Sequence, residues 1–211
     1  MNDKIKKEST FPNRNQAEQM LREAEQLNPG PWISHSNYVA QAAQNIAACC
    51  PLLNAEKAYL LGLLHDIGRR YGKTEMRHSL DGYRYCCENG FPAVGKICMT
   101  HSFPNHDIRE AFGKWNCTKE EYQFVADYVQ STEYDDYDKL IQLCDALALP
   151  SGFCLMEKRM VDVVLRHGIN EYIVPKWAAT FAIKGYFESC IKKSIYDVLP
   201  GVVENTFGLE E

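Results

Sequence analysis

Ionisable residues interrupt the apolar faces of several predicted helices in this 211-residue chain. His65 and Asp66 stand together at the end of the most apolar of these helices, and three further residues interrupt other helices in the same way: His35, His101 and Asp145. A carboxylate that leaves water needs a charged partner, hydrogen bonds or a metal ion. Imidazole and carboxylate groups together are a donor set for iron, manganese, nickel or zinc. The pattern therefore predicts a metal site in the helical interior.

Each of these residues also has a simpler explanation when it is considered alone. A buried histidine is often a hydrogen-bonded core residue, and a buried aspartate can cap a neighbouring helix. On its own helix Asp145 has no cation three or four residues away, and near Asp66 only Arg69 and Arg70 are cationic, at the helix end. Because several such groups converge without enough cations, one divalent ion explains them better together than separate structural roles do.

The elements that carry these residues are all predicted to be helices, because apolar residues recur at helical spacing and strand-like alternation is nearly absent. The sequence therefore predicts an all-α fold. The predicted helices cover about 13–28, 34–50, 55–66, 74–88, 93–100, 118 onward, 140–149, 153–166 and 175–193. Ser34 is the expected cap of the second helix, and Gly68 is expected to stop the third. The segment 102–118 is predicted to be a long, functional loop.

Composition excludes several classes of protein. Hydrophobic residues make up 45% and charged residues 24%, as in globular domains, and the net charge of −5 argues against a nucleic-acid polymer as partner. No apolar run is long enough to span a membrane, and no signal peptide is evident. The nine cysteines are interpreted as unpaired, which predicts a cytoplasmic protein. We expect a flexible N-terminus at 1–12 and a single domain over 13–211.

The order of the candidate ligands resembles that of the HD superfamily of metal-dependent phosphohydrolases. The resemblance rests on His35, on LLHDIGRRYG at 63–72, on His101 and on LCDAL at 143–147. It covers about residues 30–150 and leaves further helices at 151–211. It implies a helical bundle with the metal site between its central helices. In that site the primary metal would be held by four residues: His35, His65, Asp66 and Asp145.

The resemblance also implies a second metal in some members, held by histidines between the His-Asp pair and the final aspartate. Here His78, within RHSLDGY, and His101, within THSFP, occupy that interval, and Asp66 would bridge both ions. His78 could instead contact the substrate or act as a general acid. The cofactor is expected to be one or two divalent ions, with iron or manganese favoured and magnesium, nickel or zinc possible.

The activity implied by the resemblance is cleavage of a small phosphate ester, with a nucleotide or dinucleotide favoured, by metal-activated water. Asp66 would be central to catalysis. Four cations follow the His-Asp pair: Arg69, Arg70, Lys73 and Arg77. Of these, Arg70 and Arg77 are predicted to grip phosphate oxygens, since arginine can do so with two hydrogen bonds.

Two other functions share the same residues. Some proteins of this fold hold a di-iron pair with these ligands and oxidise carbon, and a non-catalytic nucleotide sensor could keep the fold. The complete ligand set argues against the sensor, whereas it does not separate a hydrolase from an oxygenase. The C-terminal helices could complete the core or form a homodimer interface.

Overall fold

The computed structural model describes residues 11–111 and 113–209, and these residues form ten α-helices and one small hairpin. The predicted flexible segment at 1–12 lies almost wholly outside the described residues. The first five helices are α1 (Arg14–Leu27), α2 (Pro31–Ala48), α3 (Ala55–Leu64), α4 (Arg77–Glu88) and α5 (Pro92–Thr100). The others are α6 (Lys119–Ser131), α7 (Asp136–Asp145), α8 (Met156–His167), α9 (Ile173–Ile191) and α10 (Val202–Phe207). The all-α fold predicted from the sequence is confirmed.

Short 3-10 helices connect some of these elements, at Ile67–Tyr71, Ile108–Glu110 and Ile195–Val198. The first of them corrects the expected stop at Gly68, because the chain continues through Gly68 in a tighter helix. The second lies within the predicted loop 102–118. The start of α2 also differs from the prediction: α2 begins at Pro31 rather than after Ser34, because proline is pre-organised for the first helical turn.

Both bounds of the helix predicted over 140–149 are wrong. α7 starts earlier because Asp135 accepts hydrogen bonds from the backbone of Tyr137 and Asp138, forming a capping box with Asp138. It ends at Asp145, and the apolar residues that follow form β1 (Ala148–Leu149), which pairs antiparallel with β2 (Gly152–Phe153). Asp145 is therefore the last residue of its helix.

The main core surrounds α3, as its apolar sequence predicted. Leu61, Leu63 and Leu64 are fully buried, and the core cluster to which they belong extends from α1 to α10. α2 and α3 pack so closely that a Cβ atom at Gly62 would lie 2.8 Å from the Cα of Ala40. Among the described residues, no helix combines the length and apolar composition that crossing a bilayer requires.

A buried polar cluster joins α5 to α7. The carboxylate of Asp138 accepts hydrogen bonds from Lys96 Nζ at 2.6 Å and from Thr100 Oγ1 at 2.7 Å. Because Asp138 is fully buried, these charge-assisted contacts fix the two helices relative to each other. They thereby set the position of His101, just after α5, relative to Asp145 at the end of α7.

The prediction that every cysteine is unpaired is wrong for two of them. Cys50, just after α2, and Cys190, near the end of α9, form a disulfide, and seven other cysteines are free. The two residues are 140 positions apart, so their proximity follows from the tertiary packing of α9 and has no local sequence signal. The cytoplasmic location stays a prediction, without the support drawn from unpaired cysteines.

Candidate metal centre

Two of the candidate ligands lie at the C-terminal ends of helices, and the helix ends orient their side chains. His65 directly follows α3 and His101 directly follows α5. The last carbonyls of a helix lack partners within it, and each imidazole uses one of them. His65 Nδ1 lies 2.7 Å from the oxygen of Gly62, and His101 Nδ1 lies 2.9 Å from the oxygen of Cys98. Because a carbonyl only accepts, Nδ1 is the protonated nitrogen and Nε2 carries the lone pair.

The other two histidines are oriented in the same way. His35 Nδ1 lies 3.2 Å from the carbonyl oxygen of Ala148, and His78 Nδ1 contacts the carbonyl oxygen of Glu75. All four imidazoles therefore direct Nε2 towards one buried space. A backbone hydrogen bond on one ring nitrogen, with the lone pair of the other free, is the arrangement found in metal-binding histidines.

Asp66 lies at the centre of these nitrogens. Its Oδ1 is 3.0 Å from His78 Nε2 and 3.7 Å from His101 Nε2, and its Oδ2 is 3.8 Å from His65 Nε2. Two groups of three residues thus share Asp66, and within each group the donor atoms lie within 4.8 Å of one another. The first group contains His35, His65 and Asp66. The second contains Asp66, His78 and His101.

Asp145 adjoins the first group through His35, with 2.9 Å between Asp145 Oδ1 and His35 Nε2. The structure therefore brings together all six predicted metal ligands. Their arrangement fits a divalent ion, because His65 Nε2, Asp66 Oδ1 and His78 Nε2 are buried without a hydrogen-bond partner among the described residues. Buried polar atoms are nearly always satisfied in native proteins, and a cation between these acceptors would satisfy them together.

Neighbouring charges keep both carboxylates ionised, and burial favours the neutral imidazole of His35 and of His101. Burial alone would raise the pKa of Asp66, but Arg69 and His78 hold it well below its usual range, and His35 and Arg159 do the same for Asp145. Burial lowers the pKa of His35 and brings that of His101 to about 3. Anionic carboxylates and neutral imidazoles are the protonation states that bind metals.

Each ligand carboxylate also contacts an arginine. Arg69 Nε lies 2.5 Å from Asp66 Oδ2, and Arg159 Nη2 lies 3.6 Å from Asp145 Oδ1. Arg159 comes from α8 and gives Asp145 a cationic partner that its own helix does not supply. A search restricted to three or four residues along α7 could not find it, because it is fourteen positions away in the sequence.

These residues line a cavity of about 160 Å³. Its cations come from the 3-10 helix after Asp66, from α8 and from the start of α9: Arg69, Arg159, Arg166 and Lys176. Among the described residues that line the cavity, the carboxylates are Asp66 and Asp145, which are both candidate ligands. A wider cavity of about 670 Å³ shares His35, Asp66 and Arg69 with it. Burial lowers the pKa of Lys176 to about 8.

The structure places the two arginines that were predicted to grip phosphate, Arg70 and Arg77, outside the lining of both cavities. The guanidinium of Arg70 lies 3.9 Å from the ring centroid of Tyr85. In a 3-10 helix consecutive residues point about 120° apart, so only one of Arg69 and Arg70 can face the site. Arg77 instead pairs with Glu121 at 2.8 Å and with Asp81 at 3.2 Å, because it lies beside the inward-facing His78 on α4.

The C-terminal helices were the part of the site that sequence reasoning missed. Arg159 and Arg166 are two turns apart on α8, so they share a face, and Trp177 and Thr180 on α9 also line the cavity. The spacing of the two arginines on an amphipathic helix was a detectable signal. It could not show, however, that this face of α8 lies over the metal ligands.

Comparison with known families gives one match, to a family described as HD domain, over residues 32–149. The matched segment is more than half of the chain and contains all six candidate ligands. This chain belongs to the HD domain family. No curated protein and no solved structure shows a significant match to it. The HD domain match ends before α8, so the cations from α8 and α9 lie outside it.

A glycine contact within the HD domain segment gives a prediction about how the ligands are positioned. A Cβ atom at Gly68 would overlap the carbonyl oxygen of His78 and the amide nitrogen of Gly82. We expect Gly68→Ala to lower the free energy of unfolding by about 3 kcal/mol or more, as in overpacked cores, and to separate Asp66 from His78. Urea unfolding and metal content would measure the two effects.

Gly185→Ala is the matched control, because an added Cβ at Gly185 in α9 meets nothing within 4 Å. Replacing a glycine inside a helix by alanine should raise the free energy of unfolding by up to about 1 kcal/mol. Equal stability of the two variants would contradict the close approach at Gly68.

Proposed function

We propose that this protein is a metal-dependent phosphohydrolase that cleaves a small phosphate ester. The observation that carries the proposal is the position of Asp66, whose carboxylate is shared by two groups of buried imidazole donors beside a cavity with four cationic side chains. Membership of the HD domain family supports the same class of reaction. A nucleotide or dinucleotide is the favoured substrate.

The ligands divide into two sets in this proposal. His35, His65 and Asp145 would hold one ion and His78 and His101 the other, with Asp66 shared between them. When bound, such ions supply Lewis acidity and lower the pKa of water from about 15.7 to roughly 7. The nitrogen and oxygen donors suit iron or manganese, with magnesium, nickel or zinc as alternatives.

The substrate phosphate would be held by the cations of the cavity. Arg69 uses Nε for Asp66, so its two Nη groups are available to phosphate oxygens, and Arg159 Nη2 lies 3.6 Å from Asp145 Oδ1. Arginine donates in a planar fork that matches phosphate geometry. Arg166 on α8 and Lys176 on α9 line the same cavity and add positive charge to it. A phosphate ester would thus meet the ligands on one side and guanidinium groups on the other.

The contribution of Arg69 can be measured against its neighbour. We expect Arg69→Gln to lower kcat/KM for a phosphate ester by roughly 10- to 100-fold, since a hydrogen bond to a charged group contributes about 1.5–3 kcal/mol. Arg70→Gln is the control, because it removes the same group from the next residue, which lies outside the cavity. A larger loss in Arg70→Gln than in Arg69→Gln would contradict the assignment.

The proposed reaction is tested by a screen of phosphate monoesters and diesters with protein purified and loaded without oxygen. Hydrolysis that requires added iron or manganese and is lost in Asp66→Asn would support the proposal. Binding of nucleotides without turnover would instead favour the sensor. Oxygen consumption that depends on an added organic substrate, without phosphate release, would favour the di-iron oxygenase.

A further inference from the structure

Gln142 is a buried polar residue of the cavity with no role in the proposed site. It lies on α7, is only 4% exposed, and lines the cavity that holds the candidate ligands. It is three residues before Asp145, so both side chains are on the same side of the helix. Its side chain therefore lies one helical turn from Asp145, between the cavity of the candidate ligands and a second cavity beside Tyr134.

The orientation of this amide is determined by one hydrogen bond. Gln142 Nε2 donates to the carbonyl oxygen of Thr100 at 3.0 Å. If the amide were turned over, Oε1 would face that carbonyl oxygen, and two acceptors repel each other. The Thr100 carbonyl also accepts from the backbone N–H of Phe103. The side-chain oxygen of Gln142 is therefore held on the side away from Thr100.

That oxygen is buried and has no hydrogen-bond partner within the described part of the chain. Nearby cationic side chains donate elsewhere: Arg159 to the carbonyl oxygen of Asp145 and to Asp162, and Lys176 to the carbonyl oxygen of Glu110. A buried acceptor without a donor is strongly unfavourable. A group that enters the cavity, a bound ligand or a water, is therefore the donor available to Gln142 Oε1.

We infer that Gln142 selects substrates that carry a hydroxyl or N–H donor close to the phosphate group. The inference rests on the proposed function, which supplies the phosphate end of the ligand. A site built to accept a hydrogen bond discriminates strongly against an analogue that lacks the donor, because the acceptor is then left buried and unpaired. Gln142 is thus a specificity residue and is not one of the candidate metal ligands.

The test compares two ligands that cannot be hydrolysed. 2-Hydroxyethylphosphonate and propylphosphonate have the same length and differ by a hydroxyl in place of a methyl group. Titration calorimetry with the metal-loaded wild-type protein should show that the hydroxylated ligand binds roughly 10- to 100-fold more tightly. This comparison needs no variant, so it does not depend on how a substitution affects folding.

Gln142→Met removes both polar atoms of the side-chain amide at nearly constant size. It should reduce the difference in affinity between the two phosphonates to about twofold or less, because only the hydroxylated phosphonate loses binding affinity. Metal content should stay at the wild-type value. Gln123→Met is the control, because Gln123 is exposed on α6 and should leave the discrimination intact.

Equal affinity of the two phosphonates for the wild type, with an ordered water on Gln142 Oε1 in both complexes, would overturn the inference about Gln142. It would leave the proposed function intact. Discrimination that persists in Gln142→Met would also overturn the inference. Binding of neither phosphonate would overturn the proposed phosphate site and the inference with it. Discrimination without hydrolysis of any phosphate ester would contradict the proposed reaction and leave the role of Gln142 supported.

Discussion

Asp66→Asn should remove nearly all bound metal and lower phosphohydrolase activity at least about 100-fold. Asp66 is the one residue shared by both groups of candidate ligands, so its replacement weakens both sites. Changes to residues that only orient a ligand already cost about 10- to 100-fold in affinity or activity, and loss of the ligand itself should cost at least as much. Metal analysis after anaerobic loading and desalting measures the first effect, and kcat/KM measures the second.

Asp81→Asn is the matched control for this variant. Asp81 is also buried, lies on α4 beside the site, and pairs with Arg77 rather than with a candidate ligand. Burial raises the pKa of Asp81, so a neutral amide is a mild replacement there. Wild-type metal content is expected in Asp81→Asn. Full metal occupancy in Asp66→Asn would contradict the assignment of the site.

Removal of single histidines should separate two metal sites. We expect His78→Ala and His101→Ala each to retain one metal equivalent of two, because their nitrogens belong to the second group only. His35→Ala and His65→Ala should each lose the other equivalent. Activity should fall at least about 100-fold in all four variants, since each loses a direct ligand. Metal-to-protein ratios under saturating iron or manganese without oxygen are the measurement.

His106→Ala serves as the control for these four variants. His106 stacks on Tyr134 at a centroid distance of 3.7 Å and does not line the cavity of the ligands. The His106→Ala variant should keep both equivalents of bound metal. One equivalent in the wild-type protein would contradict the binuclear arrangement. Full metal content with lost turnover in His78→Ala would make His78 a substrate contact, the alternative that the sequence left open.

Local patterns were enough to find most of the candidate ligands. His65 and His101 continue apolar helical faces, and helical spacing places such residues towards the interior whatever the partner helix is. The same reasoning did not find the arginines of the cavity. Arg69 and Arg70 are adjacent, and the choice between them depends on the 3-10 turn at Ile67–Tyr71 and on how it packs against α4. The sequence offered no sign of that turn.

The sequence by itself determined the helical class of this protein, its family and the set of residues that converge on one interior. The helical class follows from spacing within single helices, whereas the family and the full set, His78 included, follow from the resemblance of the motifs and of their order along the chain. Only the tertiary structure decided that Asp66 lies between two groups of imidazoles, that Arg159 and Lys176 reach the cavity, and that Cys50 meets Cys190. The physical reason is the difference in sequence separation between the two kinds of interaction. Helix periodicity acts over a few residues, whereas these contacts depend on how α8 and α9 pack on helices that precede them by tens of residues.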